Sequence, residues 1–91
     1  MSKSISYEFY EANKKEGGLK KNDIFIKPPF YKANDKVLFC ENVNNSIICL
    51  LICKAIDYNL YTKDWNYQAI SLLTNDYVFV KQSDLKPNEA I

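Results

Sequence analysis

Histidine and arginine are both missing from these 91 residues, and glycine occurs only twice. Without histidine there is no ordinary general base near neutral pH, no Ser–His or Cys–His pair, and no imidazole to ligate a metal. A carboxylate or a lysine would have to carry any acid–base step, and acids as close as Glu8 and Glu11 are read as a solvated helix face. The glycine pair, Gly17-Gly18, follows a helical pattern and does not stand between a strand and a helix, so no phosphate loop is present. The chain therefore reads as a non-enzyme without a cofactor. Lacking arginine, it also lacks the side chain that grips phosphate and guanine in bidentate fashion.

Cysteine is scarce as well, at three residues, and an odd number excludes a complete disulfide framework. Cys49 and Cys53 have a C-x-x-x-C spacing, but with Cys40 alone to add they fall short of a four-ligand zinc set. On a strand their sulfurs would stand ~13 Å apart, beyond any shared ion. They are expected as small reduced hydrophobes in an intracellular protein. The longest apolar run, Ile47–Cys53, is seven residues, far short of the ~20 that a spanning helix needs. The start, "MSKSISYEFYEANKK", has no apolar core like that of a signal peptide. No membrane partner is expected.

Length and composition fit one domain with one core: 47% of residues are hydrophobic and 25% charged, and the net charge is +1. Ile5, Phe9 and Ala12 stand at helical spacing, which predicts a helix from Ile5 to Glu16 closed by Gly17-Gly18. Asp23–Lys27 is a short extended piece stopped by Pro28-Pro29. Residues 1–27 are thus read as a helix and an arm, and residues 28–91 as a β domain. Its strands are expected at Lys36–Asn42, Ile47–Asp57, Asn66–Leu73 and Tyr77–Lys81. With both glycines spent, Asn and Asp must make the later turns, at Val43–Ser46 and Thr74–Asp76. Gln82–Pro87 reads as one helical turn halted by proline. The run "SIICLLICK" is apolar at every position, so both of its faces should be covered, the outer one by the helix.

Three segments resemble the chromo barrel and Tudor-like family. "PFYKANDKVLFCE", Pro29 to Glu41, is similar to its opening strand, Cys53-Lys54-Ala55-Ile56 to its second strand, and Phe79–Leu85 to its closing segment. The resemblance covers about residues 28–86 and implies a mainly β, small SH3-like β-barrel carrying an N-terminal helix. It further implies a nuclear, chromatin-associated module whose aromatic cage holds a methylated lysine of a histone tail by cation–π attraction. Carried over by position, Phe39 matches the first-strand aromatic and Glu41 replaces a histidine. Ile48 falls near a cage tyrosine, and "LLTNDY", Leu72 to Tyr77, replaces a tryptophan-rich hairpin and offers Tyr77.

Aromatic residues gather instead at Tyr58, Tyr61, Trp65 and Tyr67, around the connection "YNLYTKDW". With Phe39 and Tyr77 they are the candidate cage, and Glu41, Asp57, Asp64 and Asp76 the acidic support for a cation. The alternative places Trp65 and Tyr67 in the end of the core, with Tyr58 and Tyr61 on the surface. A histone tail or another protein is the expected partner. Nucleic acid is the second choice, through Lys14, Lys15, Lys20 and Lys21 with exposed tyrosines. A protein-docking domain without a methyl-lysine cage is the third reading.

Overall fold

β-Branched and aromatic residues alternating with polar ones put most of this chain into strands. A computed structural model describes residues 4–21, 23–41 and 46–88. Its elements run β1 (Ser4–Ser6), α1 (Tyr7–Asn13), β2 (Leu19–Lys21), β3 (Ile24–Ile26), β4 (Lys36–Glu41), β5 (Ser46–Asn59), β6 (Asp64–Ser71), β7 (Tyr77–Lys81), a 3-10 turn (Gln82–Asp84) and β8 (Leu85–Pro87). The architecture is mainly β with one α-helix and antiparallel sheets, as expected. The main sheet has the order β7-β6-β5-β4-β8, with β1 added to the far end of β5; β2 and β3 form a separate hairpin. β7 and β8 lie at opposite ends of this path, so hydrogen bonds do not close the barrel. No helix among the described residues is long and apolar enough to cross a membrane.

β5 organises the sheet. Its first part pairs with β4, its second with β6, and Asp57–Asn59 also pair with β1. Register shifts between Ile52 and Lys54 and between Ala55 and Asp57 place an extra residue at Cys53 and at Ile56. Such bulges bend a strand and reset its alternation. The first extra residue turns Ala55 to the core side and the second restores the phase, so Leu50, Ile52, Ala55 and Tyr58 all face one core, where cross-strand rows such as Ile5–Tyr58–Trp65 and Ala55–Tyr67–Val80 are stacked.

The helix differs from its expected form at both ends. Ser6 caps it by accepting from the Phe9 amide, so α1 begins at Tyr7 and Ile5 is left to β1, opposite Tyr58. The last helical bond runs from the Lys14 amide to the Tyr10 carbonyl, after which the backbone is extended. Gly17 and Gly18 do not cap the helix. They form a reversal closed by mutual Lys15–Gly18 backbone bonds, and Gly18 must be glycine because a Cβ there would lie 2.3 Å from the Ile26 carbonyl oxygen. Of Ile5, Phe9 and Tyr10, the side chains expected to cover β5 from the helix, Tyr10 alone is a buried residue of α1. Tyr10 is buried and Tyr7 half-buried, both against Trp65, while Phe9 and Ala12 face solvent.

One core spans the expected arm and the β domain, uniting Ile5, Tyr10, Leu19 and Ile26 with Val37, Leu50, Trp65 and Tyr67. The chain between β3 and β4 is pinned to the sheet by two aromatic groups. The Trp65 Nε1 donates to the Lys27 carbonyl at 2.8 Å, and the Tyr67 hydroxyl accepts from the Tyr31 amide at 3.2 Å while donating to Gln82 Oε1. Asp23, Asn34 and Asn75 take positive φ in turns, the role expected of Asn and Asp; Lys63 does so too. The turn expected at Val43–Ser46 lies, Ser46 apart, outside the described residues. The face of β5 opposite the core is covered less than its composition suggests. Ile47 is 69% exposed, Cys49 and Leu51 are half-buried, and α1 lies only over the later part of the strand.

Candidate functional site

A cavity of about 390 Å³ opens between β4, the first part of β5 and β7, and forms the mouth of the sheet. Each wall comes from a different element. β4 gives Phe39, β5 gives Ile48 and Leu50, and β7 gives Val78, Phe79 and Val80. The β6–β7 turn supplies Leu73, Thr74 and Asp76. Its shape follows from its own polar groups. Ser71 Oγ accepts from the Leu73 and Thr74 amides, the Asn75 amide bonds the Ser71 carbonyl at 2.8 Å, and Asn75 takes φ +64°. Thr74 Oγ1 accepts from the Asp76 amide and sets the exposed carboxylate at the rim. Phe39 is half-buried, and Phe79 is 71% exposed because strict alternation turns it away from the inward Val78 and Val80.

Chemically the mouth offers the Phe39 ring, five aliphatic side chains, two hydroxyls and one carboxylate, with Phe79 exposed at its edge. It has no paired acid and base, so it is built to bury an apolar group and to favour a cation over an anion. Phe39 and Ile48, cross-strand partners on β4 and β5, meet part of the Leu72–Tyr77 turn here.

The other candidate aromatics do not join them. Trp65, Tyr67 and Tyr58 are buried as core, Tyr67 beside Val80 of the mouth and Trp65 beside Tyr58 further along β6. Trp65 meets Tyr58, Tyr7 and Tyr10 edge to face, with ring centroids 5.2–5.9 Å apart, and with Tyr58 it lines a cavity of about 260 Å³ beside Phe25 and the charged Lys27 and Lys63, which oppose a cationic ligand. Burial pushes the Tyr67 phenol up to about 12, and burial followed by the nearby Asp64 charge raises that of Tyr58. Tyr61 is 72% exposed in a four-residue turn held by Asn59 Oδ1, so "YNLYTKDW" is a hairpin end rather than a long loop. Tyr77 is exposed on the outer face of β7, opposite Ile70.

Of the acids, Asp76 alone lines the mouth. Asp64 is buried and accepts from the Ser83 amide at 3.1 Å, holding the 3-10 turn. Asp57 accepts from Asn66 Nδ2. Glu41 ends β4 opposite Ser46, and its side chain lies outside the described part of the structure. The four lysines are dispersed. Lys14 pairs with Glu11 at 2.6 Å, and this bond holds the Glu11 carboxyl below its usual range. Lys20 and Lys21 are neighbours on β2 and point to opposite sides, with Lys21 Nζ 4.9 Å from the Phe9 ring centre; Lys15 lies in the reversal before them.

Sequence reasoning missed Phe79 as a site residue, although the pattern Tyr77-Val78-Phe79-Val80 marks it as an outward aromatic. Neither protein-family models, curated proteins nor solved structures give a match to this chain.

Proposed function

We propose that this chain is a non-catalytic docking module that seats a methylated lysine side chain of a partner peptide, such as a histone tail, in the barrel mouth. One observation carries the reading. Positions to which the chromo barrel resemblance assigns the cage, Phe39, Ile48 and, from the Leu72–Tyr77 segment, Leu73, Thr74 and Asp76 but not Tyr77, line a single apolar cavity with Asp76 at its rim. On this reading the exposed Phe79 ring, at the edge of the cavity, folds over its rim as the second aromatic that those positions lack. Aliphatic walls at Leu50 and Val78 suit the lysine stem, and methylation strips the ammonium of the hydration that would oppose entry. On this reading the protein works in chromatin by placing a larger assembly, and chemistry is left to its partners.

The test is an NMR titration of the labelled chain with a trimethyl-lysine histone-tail peptide and with its unmodified counterpart. The methylated peptide is expected to shift the amides of Phe39, Ile48, Asp76 and Phe79, and the unmodified one to shift them much less. Absence of any response at these positions would overturn the reading. Shifts confined to Lys15–Lys21 with an oligonucleotide, lost at high salt, would favour nucleic acid instead.

A further inference from the structure

A second groove lies between α1, the Pro28–Ala33 segment and the later part of β5. It encloses about 300 Å³ and is walled by Tyr7, Tyr10, Tyr31, Pro28, Pro29 and Ala55. A hollow of about 390 Å³, which shares Tyr10, Lys14 and Pro28 with it, continues it toward Gly17 and Gly18. The two together make an elongated track along the side of the helix.

Two observations point to what this track takes. The first is the Tyr10 hydroxyl, on a side chain only 1% exposed, which has no hydrogen-bond partner among the described residues. A buried polar atom without a partner is costly, and a hydrogen bond with a bound ligand would relieve that cost. The second is charge. Glu11 is already satisfied by Lys14 Nζ at 2.6 Å and by the Tyr7 hydroxyl at 3.1 Å. Lys32 and Lys54, which also line the groove, make no ion pair among the described residues. The walls are therefore apolar and the free charge is positive.

We propose that this groove binds an extended acidic peptide, with a carboxylate taken by Lys32 or Lys54 and the Tyr10 hydroxyl, and an apolar neighbour laid on Pro28 and Pro29. The elongated shape suits a chain better than a compact metabolite. Nucleic acid fits less well, because stacking needs open ring faces. Tyr7 and Tyr10 are packed on each other and on Trp65, and Tyr31 on Phe30 and Tyr67. The proposal stands apart from the barrel mouth, with which this groove shares no lining residue.

The test uses the full chain and the peptide acetyl-Asp-Phe-Glu-Pro-Asp-Phe-amide, with its Asn/Gln counterpart and an oligothymidylate as controls. The acidic peptide is expected to shift the amides of Tyr7, Tyr10, Tyr31 and Lys54 and to bind about tenfold more tightly than the amide version. Tyr10→Phe keeps the ring and should weaken binding by about the same factor while leaving the free protein as stable or more so. Lys32→Ala with Lys54→Ala, both exposed positions, should weaken binding and flatten its salt dependence. Equal binding of the acidic and amide peptides, unchanged affinity in Tyr10→Phe, or a response to the oligothymidylate alone would each overturn the proposal.

Discussion

Tyr10 meets Trp65 edge to face, with ring centroids 5.2 Å apart and planes at 88°, and this contact fastens α1 to the sheet. Helix and barrel end thus share one aromatic core, since Trp65 also touches Tyr7 and Tyr58. Truncating Tyr10 should leave a cavity that neither partner can fill. Tyr10→Ala is expected to cost ~3–5 kcal/mol, a large part of the margin of a small domain. Phe9→Ala, on the open side of the same helix, should cost less than ~1 kcal/mol. Urea unfolding of the two variants checks the orientation of the helix, and similar losses would mean that its buried face has been misplaced.

The two glycines should respond differently to a methyl group. Gly18 has φ +143°, and a Cβ there would lie 2.3 Å from the Ile26 carbonyl oxygen and 2.9 Å from the Phe25 ring. Gly17 has φ +88° with its nearest neighbour 3.9 Å away. Gly17→Ala then carries backbone strain alone, ~1 kcal/mol, whereas Gly18→Ala must also push the β2–β3 hairpin apart and should cost ~3 kcal/mol or more. Thermal unfolding of the pair measures the difference.

Stability should fall at high pH through Tyr67. Its burial raises the phenol from 10.0 to about 12, so the folded state holds the proton more tightly than the unfolded chain does. The resulting stabilisation is complete below the unfolded value of 10.0 and is lost as pH rises to about 12. Tyr7, Tyr10, Tyr31 and Tyr58 are raised as well, burial being the largest cause in each, and act in the same direction. Denaturation midpoints measured from pH 8 to 12 should decline, and Tyr67→Phe should decline less steeply than the parent.

Strands were legible because alternation and β-branched residues report backbone and burial together. Tyr77–Lys81 forms as expected, and β4, β5 and β6 lie within about two residues of their expected bounds. The helix was legible in existence but only partly in facing. Ile5, Phe9 and Ala12 keep helical spacing, yet the Ser6 cap removes Ile5 from the helix and Trp65 selects Tyr7 and Tyr10 as the packed side. The same limit applies to the site. Tyr58, Trp65 and Tyr67 look alike in sequence whether they point into the core or out of it. What decides is the phase of each strand, set in β6 by Trp65, Tyr67, Ala69 and Ser71 all facing inward, while the two extra residues of β5, at Cys53 and Ile56, cancel and return Tyr58 to the face of Ile52. Phe39 was singled out by the resemblance and Asp76 as acidic support for the loop aromatics, and the fold brings both to one cavity, while Phe79 required the fold to bring β7 beside it.

The most direct measurement compares a trimethyl-lysine peptide with the same peptide carrying the neutral tert-butyl isostere, in the parent and in Phe79→Ala. Phe79 is 71% exposed, so its removal should leave the fold intact. A cation–π contribution of ~0.5–2 kcal/mol predicts that the parent binds the charged peptide about 2- to 30-fold more tightly. In Phe79→Ala that preference should shrink toward parity. Equal affinity of the parent for the two peptides, or a preference that survives in Phe79→Ala undiminished, would contradict the account.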